Sequence, residues 1–409
     1  MARSGVPVPL DRSKAVMSVD LPPAVRREFL PFSPPCLGEE EIAEVVDTLR
    51  SGWLSTGPKT RRFEGEFQEY LGAPGALAVS SCTAALHTAL ATAGVGRGDE
   101  VITSTYTFAA TANVVEHVGA KPVLVDVEAD TLNIDPAAVE AALTPRTRAI
   151  IPVHFAGHPA DLDPLRAMAR DRGILLLEDA AHSLPASYRG ERIGSGENPA
   201  AFSFYATKNL VTGEGGALTG SPEFLEAARV VSRHGMSRDG WNRYDRGGGW
   251  WYEIQLPGYK YNMSDIMASL GLWQLRKLDG FQERRRDTVA RYHEAFADHP
   301  SLELPVERPE VEHAWHLYVI RLRTETLTIG RDEFIRELAA RNIGTSVHFI
   351  PVHLHPYYRE TYGYQPEDFP VALDGFERAI SLPLHAGLSP SDVDDVASAV
   401  LAIAAAYRR

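Results

Sequence analysis

Residues 201–220 read AFSFYATKNLVTGEGGALTG. The apolar and aromatic run at residues 201–205 predicts a short buried strand. The glycine-rich run at residues 213–216 allows a tight turn or a close approach of the backbone to a ligand. Lys208 lies between these two features. Because most lysines in proteins are solvated, Lys208 by itself indicates no function.

A second residue, Asp179, indicates a function for Lys208. It follows the apolar run GILLLE at residues 173–178, which predicts another buried strand. A lysine on a glycine-rich turn and an acid at the carboxyl end of a strand are what a pyridoxal phosphate site needs. The lysine binds the cofactor as a Schiff base, and the acid keeps the pyridinium nitrogen protonated so that the ring accepts electrons. We therefore predict a pyridoxal phosphate site.

Composition excludes several classes of partner. The chain has 409 residues, with 41 basic and 54 acidic side chains and a formal net charge of −13. This charge argues against nucleic acid or an anionic membrane as a partner. No apolar run approaches the ~20 residues of a membrane span, and residues 1–23 lack the apolar core of a signal peptide. Two cysteines, Cys36 and Cys82, are too few for a disulfide framework. We expect reduced thiols and a cytoplasmic protein.

The order of predicted elements indicates an α/β fold with two domains. Strands and helices alternate regularly after residue 76, which favours a mostly parallel sheet covered by helices. We predict a flexible N-terminal tail at residues 1–28 and a large cofactor-binding domain at residues 29–275. A smaller α+β domain is predicted at residues 276–409, with the boundary placed at the strongly charged helix FQERRRDTVARYHEAF, residues 281–296.

Ligands of such sheets bind beyond the carboxyl ends of the strands. Cys82 with Thr83, Phe108, Asp179 and Lys208 all follow predicted strands directly or closely. The strand before Cys82 leads through small residues into a helix, an arrangement that suits an anion, although a capped helix without a ligand has the same pattern. We interpret Cys82 as a small packing residue, because nothing nearby supplies a base.

Five of the histidines in the C-terminal third of the chain invite interpretation as metal ligands. Their spacing fits no clear metal-ligand pattern, so we predict no metal and interpret them as ordinary loop and strand histidines. They are His313, His316, His348, His353 and His355.

Several longer stretches carry a resemblance to a known family. They are SGWLSTGPK, SSCTAALHTAL, GDEVITSTYTFAATAN, VDVEADTLNID, IIPVHFAGHPADLD, LLEDAAHS, FSFYATKNLVTGEGG, PGYKYNMSD and HAWHLY. From about Phe29 to the C-terminus, the chain resembles the pyridoxal-phosphate-dependent nucleotide-sugar aminotransferases of the DegT/DnrJ/EryC1/StrS family. The resemblance implies the type I aminotransferase fold, whose large domain holds a mostly parallel seven-stranded sheet.

The resemblance also implies roles for four residues around the cofactor ring. Lys208 matches the lysine that binds the cofactor and then moves a proton as acid and base. Asp179 matches the partner of the pyridinium nitrogen. Phe108 matches the aromatic residue that stacks on the ring, and His182 lies near its other side. An ordinary lysine has a pKa of about 10.4, so this chemistry needs a lysine whose pKa is lowered by burial or by a nearby cation.

Further positions correspond to the phosphate site of the family. Thr83 with its neighbouring amides and Ser203 resemble the phosphate cup, where Cys82 replaces a smaller residue. Asn262 matches a residue that reaches the phosphate from the other subunit, which implies a homodimer with shared active sites. The aromatic loop at residues 241–261 is expected to cross to that subunit.

The implied reaction is transfer of an amino group from L-glutamate, leaving 2-oxoglutarate, to the C4 ketone of a nucleotide-linked sugar. The block GYKYNMSDIMASLGLWQL is similar to the branch that aminates C4, including the enzymes that make UDP-4-amino-4-deoxy-L-arabinose. Such reactions serve natural-product (antibiotic) or cell-surface glycan biosynthesis. The nucleotide (UDP, dTDP or GDP), the type of sugar and its stereochemistry at C4 stay open.

Alternatives within the family are a sugar 3-aminotransferase, a cyclitol aminotransferase and a 3-dehydratase. The dehydratases carry histidine in place of the cofactor-binding lysine, so Lys208 argues against that activity. A non-catalytic pyridoxal-phosphate-binding regulator on the same fold is an alternative of a different class.

Overall fold

The computed structural model describes residues 26–237 and 251–409. Most of the predicted N-terminal tail and residues 238–250 lie outside the described residues. The second gap contains Trp241 and Trp250 of the predicted aromatic loop. At the end of the predicted tail, Arg26 forms ion pairs with Asp392 and Asp395.

The described helices and strands alternate through the first half of the chain. The helices are α1 (Glu39–Ser51), α2 (Pro58–Leu71), α3 (Cys82–Thr92), α4 (Ala109–His117), α5 (Pro136–Ala142), α6 (Leu162–Arg172), α7 (Pro222–Val231), α8 (Asp265–Phe296), α9 (Arg331–Ala340), α10 (Pro356–Tyr362), α11 (Pro370–Arg378) and α12 (Pro390–Ala406). The strands are β1 (Ala76–Val79), β2 (Glu100–Ser104), β3 (Lys121–Val125), β4 (Thr147–Ile151), β5 (Leu175–Leu176), β6 (Glu178–Asp179), β7 (Ser187–Tyr188), β8 (Glu191–Arg192), β9 (Ala200–Ser203), β10 (Gly216–Thr219), β11 (Leu302–Glu303), β12 (Val311–Glu312), β13 (Tyr318–Leu322) and β14 (Ala379–Leu382).

The central sheet has seven strands. Two four-stranded ladders, β3-β2-β4-β5 and β6-β9-β10-β1, are joined because β5 and β6 are successive parts of one extended segment. Within this segment, the amide of Leu177 donates to the carbonyl of Ile150 (3.0 Å) and that of Asp179 to Pro152 (2.8 Å). Among these strands, β10 alone runs in the direction opposite to the others. The predicted α/β fold with a mostly parallel, seven-stranded sheet is confirmed.

The sheet directs the ends of four strands to one edge. The chain passes from β1 into α3, from β2 towards α4 and from β9 towards Lys208, and β6 itself ends at Asp179. Ser81 caps α3 by accepting a hydrogen bond from the amide of Ala84 (3.0 Å). A Cβ on Gly216 of β10 would stand 2.5 Å from the carbonyl carbon of Ser81 and 2.6 Å from the amide nitrogen of Cys82. Glycine at this position therefore lets β10 lie directly against the start of α3.

The C-terminal part of the chain has its own antiparallel sheet and core. Its strand order is β11-β13-β14, and the core includes Tyr318, Phe334 and Ile403. Separately, β12 pairs with β7 of the β7–β8 hairpin.

One long helix connects the two cores. The sequence predicts two helices around residues 264–278 and 281–296, whereas α8 runs through both without a break. Gly280 is tolerated inside it because a single glycine costs a helix only about 1 kcal/mol relative to alanine. The predicted boundary between residues 275 and 276 falls inside this helix. The two-domain division itself stays a prediction.

Phe67 of α2 provides a test of the large-domain core. Its ring is fully buried and makes edge contacts with Phe202 (5.3 Å between centroids) and Phe204 (5.4 Å). We predict that Phe67→Ala lowers the free energy of unfolding by about 3–5 kcal/mol, measured in urea at fixed protein concentration. Leu49→Ala, whose side chain is 53% exposed, should change it by less than about 0.5 kcal/mol. Equal unfolding midpoints for the two variants would contradict this packing.

Candidate active site

A cavity of about 550 Å³ opens at the carboxyl edge of the central sheet. It has the size of an ordinary small-molecule site. Seven of the eight sequence-predicted site residues line it. They are Cys82, Thr83, Phe108, Asp179, His182, Ser203 and Lys208.

Asp179 carries a buried carboxylate in this cavity. The residue is only 5% exposed; its Oδ2 accepts from the hydroxyl of Thr111 (2.8 Å) and its Oδ1 from the amide of Ala181 (3.2 Å). Burial raises the pKa of Asp179, and these hydrogen bonds act in the opposite direction. Within the described residues, no cation lies within 4.0 Å of this carboxylate. A protonated ring nitrogen would supply the missing positive charge.

Lys208 enters the same cavity from the turn that follows β9. Its backbone amide donates to the carbonyl of Tyr205 (2.9 Å), which closes the turn. Burial lowers the pKa of Lys208 to about 8, although Cys82 and Asp179 act in the opposite direction. The amine of Lys208 therefore loses its proton at a lower pH than an ordinary lysine does. The chemistry of a cofactor-binding lysine requires such an amine.

The beginning of α3 forms the part of the cavity that suits an anion. Cys82 and Thr83 belong to its first turn, and Ser203 at the end of β9 lines the same cavity. The first-turn amides of an α-helix have no partner within the helix, and the helix dipole favours negative charge there. This combination fits a phosphate group. The Cys82 thiol is buried at 3.8 Å from Asp179 Oδ1, and burial holds its pKa well above the usual value.

Aromatic side chains form the walls of the cavity. The ring of Phe108 is 63% exposed at the start of α4. His182 stacks against Phe349 with 5.6 Å between ring centroids and an angle of 24°. His182 Nδ1 is buried and has no hydrogen-bond partner among the described residues. An exposed ring and an unsatisfied imidazole nitrogen in one cavity fit a planar, polar ligand.

Two more histidines, His316 and His348, line the cavity, and sequence reasoning missed both as site residues. His316 lies 4.4 Å from His182 between ring centroids, and its Nε2 is 3.5 Å from Lys208 Nζ. Burial lowers the pKa of His316 well below its ordinary value and that of His348 to about 4. The stretch HAWHLY contains His316 and was the one available signal.

Across residues 26–237 and 251–409, no group of three or more His, Cys, Asp or Glu residues is arranged to hold a metal.

Asn262 is the predicted site residue that the structure does not bring into the cavity of its own chain. Its side-chain amide donates to the hydroxyl of Thr56, and its backbone forms an isolated bridge with Val79 at the end of β1. The role of Asn262 stays a prediction.

The sequence matches the model of the DegT/DnrJ/EryC1/StrS aminotransferase family over residues 35–401. The chain belongs to this family. Membership and the arrangement of Lys208 and Asp179 agree that the protein is a pyridoxal-phosphate-dependent aminotransferase.

Similar proteins cover almost the whole chain. The spore coat polysaccharide biosynthesis protein SpsC of Bacillus subtilis is 52% identical over 377 residues, which are 92% of this chain and 97% of SpsC. Among solved structures, Spr1654 of Streptococcus pneumoniae, assigned as a sugar aminotransferase, is 38% identical with a TM-score of 0.86, covering 92% of this chain and 99% of that one. PseC of Helicobacter pylori, an aminotransferase involved in pseudoaminic acid biosynthesis, is 29% identical with a TM-score of 0.84, covering 92% and 98%.

Pyridoxal phosphate is the cofactor of this aminotransferase. The cavity fits it through an anion site at α3, an unneutralised carboxylate at Asp179 and a lysine whose pKa is lowered. In the described part of the chain, no helix has the length and apolar character needed to cross a membrane.

The buried carboxylate of Asp179 leads to a prediction. We expect Asp179→Asn to fold normally but to lose turnover by about a hundredfold or more, because a positioned charge is removed with little change of shape. The measurement is steady-state turnover of the cofactor-loaded enzyme. A matched control is Glu178→Gln, since Glu178 is buried on the same short strand but bonds His154 (3.1 Å) outside the cavity. Asparagine at 179 with turnover equal to that of the control would show that the charge has no role.

Proposed function

We propose that this aminotransferase transfers the amino group of L-glutamate to the C4 ketone of a nucleotide-linked keto sugar, a pentose or a 6-deoxyhexose. The observation that carries amino transfer is the placement of Lys208 and Asp179 in one cavity beside an anion site. The sugar class is supported by the names of similar proteins, and the C4 position by the resemblance of residues 258–275 to the C4 branch.

The proposed roles of the residues follow from the positions of their side chains. Lys208 would hold the cofactor and would then carry the proton that must leave one carbon and reach another. Asp179 would keep the ring nitrogen protonated, and Phe108 and His182 would lie against the ring. Thr83, Ser203 and the amide of Cys82 would hold the phosphate. When bound, the cofactor supplies an electron sink and a temporary carrier for the amino group.

The two half-reactions balance without a further reactant. L-Glutamate gives up its amino group and leaves as 2-oxoglutarate, whose new carbonyl oxygen comes from water. The keto sugar then takes up the amino group, and its carbonyl oxygen leaves as water. Lys208 accepts and returns one proton in each half-reaction, so a neutral amine has to be accessible near the working pH.

We also propose a pathway and a location for the enzyme. SpsC is named for spore coat polysaccharide biosynthesis, which favours a cell-surface glycan over an antibiotic as the product's destination. Both cysteines, Cys36 and Cys82, are free thiols, as expected in a reducing compartment. We propose that the enzyme works in the cytoplasm.

The substrate test is a panel of 4-keto sugars linked to UDP, dTDP or GDP, incubated with [¹⁵N]glutamate and analysed by mass spectrometry. We predict that at least one 4-keto sugar gains ¹⁵N, and that Lys208→Ala transfers none. The panel also contains 3-keto sugars and a cyclitol ketone. Transfer to one of those alone would replace the C4 proposal by the corresponding alternative. A yellow protein whose colour does not bleach with glutamate would indicate a non-catalytic regulator.

We further propose a homodimer in which each site is completed by the partner subunit. Asn262 matches a phosphate-binding position in the family, yet it lies outside the cavity of its own chain. The nearby segment also exposes apolar side chains, with Ile254 57% exposed and Leu256 37% exposed. Contiguous exposed apolar residues mark partner surfaces. A two-fold axis would then give two equivalent shared sites.

Complementation tests the shared site. Inactive Lys208→Ala subunits are mixed with weakened Asn262→Ala subunits under conditions of subunit exchange. If sites are shared, each mixed dimer carries one site with both defects and one with neither, so activity should exceed that of either parent. No gain, despite exchange proven by mass spectrometry, would place Asn262 and Lys208 of one chain in the same site.

A further inference from the structure

Lys208 has a second neighbour that its role in cofactor binding does not explain. His316 is buried, and its Nε2 lies 3.5 Å from Lys208 Nζ. On the other side of the ring, His316 Nδ1 is 3.2 Å from Oδ1 of Asn209, the residue that follows Lys208 in the chain. The turn that carries Lys208 therefore also carries Asn209, and both residues contact the ring of His316.

The hydrogen bonds of Asn209 decide which nitrogen of His316 carries the proton. Asn209 Nδ2 donates to the carbonyls of Leu184 (2.9 Å) and Ala314 (2.8 Å). Both protons of the amide are used, so Oδ1 faces His316 as an acceptor only. An acceptor at this position requires a proton on Nδ1 of a neutral ring. The lone pair of Nε2 then faces Lys208.

The backbone on both sides of His316 is fixed as well. The amide of Ala314 donates to the carbonyl of Gly157 (2.9 Å), and that of Leu317 donates to Ala156 (3.0 Å). A Cβ on Gly157 would stand 3.0 Å from the amide nitrogen of His316. The imidazole thus has little freedom to move away from the lysine.

We infer that His316, oriented by Asn209, positions the free amine of Lys208 by accepting a hydrogen bond at Nε2. This inference rests on the proposed role of Lys208. During each half-reaction the amine is free and has to return to one place to exchange its proton. A fixed acceptor on one side restricts the rotamers of the long side chain and keeps the amine inside the cavity. Misplacement by about 1 Å can reduce a rate by about a hundredfold.

Other titratable groups face Lys208, but none provides this contact. The charge of Lys208 interacts with Asp179 and Cys82 from the sheet side and with His182 and His348 from the cavity walls. His348 Nδ1 is paired with the hydroxyl of Ser381 (2.9 Å). His316 remains the described histidine with a ring nitrogen at hydrogen-bond distance from the amine.

The first test uses the cofactor-free protein and needs no activity. In a ¹⁵N spectrum of the histidine side chains, the His316 signals are identified by their absence in His316→Gln. We predict a protonated Nδ1 and an unprotonated Nε2, and we predict that Asn209→Ala makes the ring exchange between tautomers. A proton fixed on Nε2 in the wild-type protein would overturn the inference.

The second test compares variants. His316→Phe keeps a ring but removes the acceptor, and His316→Gln keeps an acceptor oxygen. We expect the phenylalanine variant to lose kcat by about tenfold to a hundredfold, with KM within about threefold, and the glutamine variant to recover most of the loss. A second readout does not depend on turnover. Pyridoxal phosphate is added to cofactor-free protein at a series of pH values, and its capture is measured by the yellow colour that forms. An acceptor stabilises the ammonium form, so its removal should lower the pKa of Lys208 and shift this profile to lower pH.

Buried His158, which follows Gly157 but does not line the cavity, serves as the control. Asn133 Nδ2 lies 3.4 Å from His158 Nδ1, outside the cavity. His158→Gln should leave both the capture profile and kcat unchanged. A phenylalanine variant that matches this control would overturn the inference even while Lys208→Ala is inactive, so the positioning role fails separately from the proposed function. If His316→Phe does not fold, the inference is tested by the tautomer of His316 in the wild-type protein and by the pH profile of cofactor capture by His316→Gln.

Discussion

The carboxylate of Asp179 is buried at the end of β6 with a hydroxyl and an amide as partners, but with no cation at ion-pair distance among the described residues. Burying a carboxylate without a cation at ion-pair distance is unfavourable, and burial raises its pKa even though Lys208 and His154 act in the opposite direction. Such a conflict is typical of a functional site, where a ligand supplies what the protein leaves out. A cationic ring nitrogen at this carboxylate would resolve the conflict.

The sheet topology brings the two groups together. Asp179 ends a strand at the centre of the sheet, whereas Lys208 lies on the connection between the parallel strand β9 and the antiparallel strand β10. This connection returns the chain beside β1, where Gly216 allows β10 to lie against the first turn of α3. One reversal of direction therefore places the lysine, the buried acid and the start of α3 around a single cavity.

Local sequence was sufficient for most of this arrangement. Runs buried on both faces predicted the parallel strands, and the small residues after β1 predicted the start of α3, because both depend on neighbouring residues. His316 and His348 were missed because they lie far along the chain from Lys208 and gain their surroundings only through tertiary packing. The continuity of α8 was missed because its apolar and charged halves were interpreted as separate helices. For Asn262, a single chain leaves the predicted role untested.

All of the proposed chemistry requires Lys208 to hold the cofactor. The most direct measurement is treatment of the cofactor-loaded enzyme with borohydride, which converts a lysine–cofactor bond into a stable amine, followed by peptide mass mapping. We predict the added mass of the reduced cofactor on Lys208 and on no other lysine. Its appearance on a different lysine, or the absence of any modified peptide from a yellow protein, would show that Lys208 does not hold the cofactor.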